Sequence, residues 1–411
     1  MKSTNIGEEN FMKRMLAILL SLVLVLGLMP LAFAEGKTEV TVWYYWENLK
    51  HQEILNSLVT EYNATQTNVE IKTQYVPFAD FKKQLSIGAT ADVLPDIVII
   101  DGPDHASYAS MGIFADLTER LKDWPDLAEY FSGPIASCTL DNKLYGIPFG
   151  SNCLALYYNE DMMAAAGQQV PTTWDELKAV AKALTTDKVY GLGLSSVQNE
   201  EGTYNFMPWV WSTGATSFEL GTENGIRALN LFKDLIDSGV MPKEVINWTQ
   251  GDIMNQFISG NLAMMVNGPW QVPTMRDQAP DLHWNVALIP KDVQNASVLG
   301  GENFAVVAGG HEDEALAFLQ YATSAEKVKS YIDAFGYIAA RKDVAGGQFE
   351  GDELMKAFAA QMQYAQPRGP HPEWPSISDA ISLAFNQVIV GTLSPADAAA
   401  AAQATIDGIV K

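Results

Sequence analysis

The chain of 411 residues is poor in cysteine, in histidine and in positive charge. Its two cysteines, Cys138 and Cys153, are spaced as neither a metal site nor a redox motif, and Cys153 has no adjacent basic partner to activate it. The five histidines, His51, His105, His283, His311 and His371, show no HExxH spacing and read as surface or capping residues. There is no GxSxG elbow, no phosphate-cradling P-loop and no calcium loop, since Asp141 and Asp187 lie in ordinary turns. No cofactor and no metal are therefore expected. Lysine and arginine number 26 against 49 aspartates and glutamates, for a net charge of -23. Such a surface repels nucleic acid and anionic membranes but says little about a neutral ligand. Beyond residue 34 no stretch reaches the roughly 18 apolar residues of a membrane span. Repeats, low-complexity segments and long Pro/Gly/Ser linkers are absent too.

What the chain has first is an N-terminal leader. Lys13 and Arg14 precede an apolar run from Met15 to Leu31, and Ala32-Phe33-Ala34 fits a small-x-small cleavage site. Residues 1–34 read as a signal peptide, with mature protein from about Glu35 and Met12 as an alternative start. The expected location is periplasmic or extracellular. No cysteine lies near the cleavage site, so a lipid-attached N-terminus is not expected. The leader carries three basic and two acidic residues, so the rest of the chain stands at -24. In an oxidising compartment Cys138 and Cys153, which bracket a hairpin turning at Asp141-Asn142, are either disulfide-bonded or two buried thiols.

The pattern after the leader is β-α-β-α-β. Strands are expected over 40–45, 69–76 and 96–100, with helices over 52–62 and 78–87. The third strand is apolar enough to be buried on both faces, which points to a parallel sheet. Ligand loops in such sheets lie at the C-terminal strand ends, here Trp46-Glu47-Asn48, Pro77-Phe78 and Asp101 to Asp104. A second α/β unit follows. Thr173 and Glu176 form a capping box for a helix to about Leu184. A strand is expected over 190–195, an aromatic-rich helix over 205–213, and further strands over 263–266 and 284–288. The C-terminal part is helical in pieces, ending with 376–390 and 395–409. Two such units without a linker predict lobes around a cleft.

Ten tryptophans are many, and several fall in loops or helix starts. A sugar ring has apolar C–H faces, which aromatic rings cover, and a hydroxyl rim, which carboxylates and amides bind. Trp46, Trp209, Trp211, Trp270 and Trp374 are candidates for the faces. Glu47, Asn48, Asp101, Asp104, Asn267 and Glu302 suit the rim, although Asp101 and Asp104 serve equally as helix caps. Trp43, Trp124 and Trp284 read as core, and Trp174 as packing its own helix start.

These segments together resemble a family, the periplasmic or extracellular solute-binding proteins of ATP-driven sugar importers, the group of maltose-binding and multiple-sugar-binding proteins. The resemblance is carried by Leu144-Tyr-Gly-Ile-Pro148, Leu154-Ala-Leu-Tyr-Tyr-Asn159, Pro171-Thr-Thr-Trp-Asp-Glu-Leu177, Phe257 to Trp270, and Gly300-Gly-Glu-Asn-Phe-Ala-Val306. It implies a type II periplasmic-binding-protein fold of two α/β lobes, one of residues 35–148 and 301–336, the other of 149–300 and 337–411. It further implies a monomer that closes on a mono- to trisaccharide or sugar alcohol and is read by an ABC-type membrane permease, without catalysis. The contacts it implies are Trp46, Glu47, Asn48, Asp101, Trp270, Gly301, Glu302, Asn303, Arg368 and Trp374. Arg368 leaves room for an acidic sugar or glycerol phosphate, and acidic loops with aromatic walls also suit a polyamine. A secreted carbohydrate-active enzyme is the remaining alternative: carboxylate pairs are plentiful, but a two-lobed chain is not the usual glycosidase scaffold.

Overall fold

The computed structural model describes residues 36–91, 93–369 and 371–410; the expected leader and its cleavage site lie outside the described residues. In strand Thr38–Tyr44 the alternate residues Val40, Val42 and Tyr44 are buried, the period-two signature of a packed strand. Helix Leu49–Thr65 follows, capped by Asn48, whose side chain accepts the Lys50 N–H at 2.9 Å. Strand Val69–Tyr75, helix Phe78–Ala91 and the fully buried strand Ile97–Asp101 complete the expected order. The sheet order is Val69–Tyr75, Thr38–Tyr44, Ile97–Asp101, Glu302–Val306, Ile147–Pro148. The first three strands run parallel, and Glu302–Val306 returns antiparallel with Glu302 opposite Asp101.

The first crossover runs outward from Thr38–Tyr44 to the edge strand Val69–Tyr75, and the second runs back past Thr38–Tyr44 to Ile97–Asp101. Both are right-handed by rule, so helices Leu49–Thr65 and Phe78–Ala91 cover opposite faces of the sheet. On its own face, Leu49–Thr65 packs against helices Glu312–Ala322 and Ala325–Phe335.

A second, three-stranded antiparallel sheet joins Trp284–Ala287, Ala155–Asn159 and Met264–Asn267. The segment 190–195, expected as a strand, makes only isolated bridges to Leu262 and Met265. Its amides are divided among the Asn261, Val240 and Met264 carbonyls, so no continuous ladder forms. The aromatic helix starts one turn and more earlier than expected, at Glu200, capped by Asn199. The capping box of Thr173 and Glu176 is present.

Two hydrophobic cores result. One contains Val40, Ile99, Phe304, Phe318 and Phe335, the other Tyr157, Phe206, Phe257, Trp374 and Phe385. The chain thus folds as two α/β lobes. Phe149, Tyr337, Ala339 and Val344 pack in the first core, so that core extends past the expected boundaries at 148 and 336. The cause is local: Ile338–Ala339 pairs with Gly150–Ser151 and holds the returning chain on the first lobe. Next to this ribbon Gly301 sits at φ +138°, where a Cβ would lie 2.1 Å from the Gly150 carbonyl oxygen. Only glycine fits where the chain passes between lobes.

The disulfide reading fails. Cys138 and Cys153 are free, buried thiols in different cores, Cys138 in the first and Cys153 in the second. The hairpin they bracket belongs to the first lobe, with Leu140, Leu144 and Tyr145 on its core, and the chain passes to the second core between Phe149 and Cys153. Trp43 and Trp124, read as core, are partly buried at the margin of the first core, and Trp284 at the margin of the second. Trp174, which begins its helix, is buried in the second core with its ring 6.2 Å from that of Trp209.

Candidate functional site: the cleft between the lobes

A cavity of about 540 Å³ lies between the lobes, within the range of small-molecule sites. Its floor is the C-terminal edge of the first sheet, as the parallel topology requires. Trp46 follows the first strand, Asp101 ends the third, and Gly301 and Glu302 begin the antiparallel return. The opposite wall brings Trp270, Tyr204 and Gln250 from the second lobe.

Glu302 is the most heavily bonded floor residue. Its Oε1 accepts Tyr45 Oη at 3.1 Å, Trp46 Nε1 at 3.1 Å and Tyr337 Oη at 3.0 Å. Burial pushes its carboxyl up to about 7, Asp101 adds to this, and the three hydrogen bonds oppose it. The bonds hold Trp46 and Tyr337 in place where they border the cavity. Trp270 stands partly buried between the two cores, 6.2 Å from Tyr204 and 6.4 Å from Tyr337, ring centre to ring centre. Its ring lies over Gly268, where a Cβ would come within 2.0 Å of it; the Asn267-Gly268-Pro269 break exists to seat that ring.

A buried ion network closes one flank. Arg368 donates Nη1 to Asp101 Oδ2 at 3.0 Å and Nη2 to Asp101 Oδ1 at 3.1 Å. It also donates to Glu200, and its guanidinium lies 4.4 Å above the Tyr204 ring. Glu200 accepts Trp374 Nε1 at 3.1 Å, and Lys82 reaches Asp104 at 2.9 Å and Glu200 at 3.8 Å. Burial pushes Asp104 up to about 7, against the pull of Lys82 and with repulsion from Glu200 and Asp101. Burial likewise raises Asp101, while Arg368 draws it down. On the other flank Asn48 Nδ2 donates to Thr274 Oγ1 at 2.9 Å, and Lys50 pairs with Asp277 at 3.0 Å.

A third group of carboxylates, Glu47, Glu201 and Asp252, also borders the cavity. Glu201 is pushed up to about 7 by burial, with repulsion from Glu47 and Asp252; the Ser195 hydroxyl and the Gln250 N–H oppose this. Among the described residues no group of three or more His, Cys, Asp or Glu has the arrangement to hold a metal ion, and no helix is long and apolar enough to cross a membrane.

The residues singled out from sequence separate into two sets. Trp46, Glu47, Asn48, Asp101, Trp270, Gly301, Glu302 and Arg368 border the cavity. Asp104, Trp209, Trp211 and Trp374 do not. Trp209 packs on Trp174 and Phe232 in the second core, and the Trp211 indole N–H goes to Ser217. Trp374 is fully buried behind Glu200, and Asp104 is spent on Lys82. Asn303, one residue past the floor, bonds Ser137 within the first lobe, and Asn267 is buried. His51 and His105 are buried, not surface or capping residues; burial pushes both down to about 3.

Sequence reasoning missed Tyr45, Glu200, Glu201, Tyr204, Gln250 and Tyr337. The signal for Glu200, Glu201 and Tyr204 was Asn199, an N-cap residue before two acids, which starts the helix early and aims its first turn at the cleft.

Known proteins share this architecture. A solute-binding protein of Thermotoga lettingae, solved with α-D-tagatose, superposes with a TM-score of 0.85 at 25% identity, over 91% of this chain and 100% of that one. The cyclic α-maltosyl-1,6-maltose binding protein of Arthrobacter globiformis does so with a TM-score of 0.74 at 29% identity, over 92% and 100%. The maltotriose-binding protein of Pyrococcus abyssi is 26% identical over 86% of this chain and 78% of its own. These likenesses extend to the type II periplasmic-binding-protein fold. Residues 57–357 match the family described as bacterial extracellular solute-binding protein, and the protein, two α/β lobes about a ligand cleft, belongs to that family.

Proposed function

We propose that the protein captures a short neutral saccharide, of one to three sugar units, or a sugar alcohol in this cleft, and delivers it to an ABC-type permease without chemically altering it. The observation that carries the neutral assignment is the state of Arg368. Its guanidinium is bidentate on Asp101 and bonded again to Glu200, so it holds no charge in reserve for a phosphate or an acidic sugar. Lys50 at the cavity is paired with Asp277, and burial pushes His51 down to about 3. The flat surfaces of Trp46, Trp270, Tyr204 and Tyr337 suit sugar C–H faces, and Gln250, Asn152 and Glu302 suit hydroxyl groups. The carbohydrates bound by the Thermotoga, Arthrobacter and Pyrococcus relatives support the same class.

Ligand that touches both lobes favours the closed form only by binding it better than the open one, and the permease then reads closure. We place the protein outside the cytoplasm, exported on residues 1–34 and acting as a monomer. A second reading has its own support: Glu47, Glu201 and Asp252 border the cavity, and the described residues record no cation paired with them, which suits a polyamine. A thermal-shift screen over sugars, sugar alcohols, glycerol phosphate and polyamines separates the readings, because a ligand of the folded form raises the melting temperature. A rise with neutral sugars alone supports the assignment; a rise with spermidine or glycerol phosphate and no sugar overturns it. N-terminal sequencing of exported protein should begin near Glu35.

A further inference from the structure

The two helices that enclose the first sheet each carry one of the lobe-to-lobe contacts. Asn48 and Lys50 stand at the start of Leu49–Thr65 and meet Thr274 and Asp277. Lys82, on Phe78–Ala91, meets Glu200 at 3.8 Å, beside the Arg368–Asp101 pair. Because the crossovers place these helices on opposite faces of the sheet, the contacts flank the floor of Trp46, Asp101 and Glu302 from both sides. The cavity is bounded at both flanks.

The two boundaries are unlike. The side chains of Arg368 and Glu200 are each 1% exposed, and Trp374 is packed behind them. A sugar chain extending that way would have to strip a buried ion network. The other boundary is light: Lys50 and Asp277 are 39% and 67% exposed, and one neutral hydrogen bond, Asn48 to Thr274, accompanies them.

We propose that the Asn48–Thr274 and Lys50–Asp277 clasp is the specificity determinant for chain length, limiting the ligand to what fits between the two flanks. This rests on the saccharide reading above. A longer chain leaves the cavity past the light clasp and breaks it, losing one neutral hydrogen bond and one exposed ion pair. Together these amount to about a tenfold loss of affinity.

The test is calorimetric titration of the full chain with maltose, maltotriose and maltohexaose, and with mannobiose, mannotriose and mannohexaose. The wild-type protein is compared with the double variant Lys50→Ser, Thr274→Ala. For the series that binds, the hexasaccharide is expected to bind wild type about tenfold more weakly than its shortest member. The double variant is expected to raise the hexasaccharide-to-disaccharide affinity ratio by a similar factor. A wild-type protein indifferent to length, or a ratio unmoved in the variant, overturns the length limit and leaves the saccharide reading standing. Binding of neither series overturns this inference, and a melting-temperature rise on spermidine or glycerol phosphate with no sugar overturns the saccharide reading as well.

Discussion

Arg368 and Asp101 face each other across the cleft as a bidentate pair, with N–O distances of 3.0 and 3.1 Å, although they belong to different lobes. The pair is buried, so its parts are worth little separately and much together. Arg368→Met should let the lobes part, because Asp101 regains hydration only when the cleft opens. The expected result is a larger radius of gyration by small-angle scattering of the sugar-free protein, with an intact circular-dichroism spectrum. An unchanged radius would mean that the pair does not hold the lobes.

Trp270 and Trp374 should behave oppositely. Trp270 is partly exposed to the cavity, so Trp270→Ala should weaken sugar binding by about 10- to 100-fold with a small change in melting temperature. Trp374 is fully buried, so Trp374→Ala should destabilise the chain by about 3–5 kcal/mol in denaturant unfolding. Gly268→Ala should mimic the first effect by displacing the Trp270 ring.

Acid should stabilise this protein over a definite interval. Glu302, Glu201 and Asp104 are each pushed up to about 7 by burial, against about 4 in an unfolded chain. The folded form therefore holds these protons more tightly. Their contribution is complete below about pH 4 and is lost as pH rises through about 7. Asp343, drawn down by Arg341, and Asp96, drawn down by the Thr41 and His311 bonds against burial, act in the reverse sense and lose their contribution in stronger acid. The melting temperature should climb from about pH 8 to about pH 5 and fall below about pH 4. A flat profile between pH 8 and 5 would contradict the burial of these carboxyls.

Both thiols should resist chemistry until the chain unfolds. Cys138 and Cys153 are fully buried, and burial pushes both well above the usual thiol range. A thiol reagent should find none in the native protein and two in denaturant, and a reductant should leave the melting temperature unchanged. One reactive thiol before unfolding, or none after it, would refute this.

The features legible in the chain were those set by neighbours in sequence. The alternation of Val40, Val42 and Tyr44 marks a strand, and Thr173 with Glu176 marks a helix start. The buried run Ile97–Asp101 between helices marks a parallel sheet, which in turn places Trp46 and Asp101 at a ligand edge. Local periodicity and capping are properties of a few consecutive residues, so no tertiary information is needed to read them. Tertiary structure decided which aromatics are walls and which are core. Trp209, Trp270 and Trp374 look alike in sequence, yet Trp270 stands over Gly268 at the cleft while the others fill the second core. It also decided that Arg368 is consumed by Asp101, 267 positions away, and that Cys138 and Cys153 lie in separate lobes. Burial and charge pairing between distant segments depend on how the two lobes meet, and no short stretch of chain encodes that.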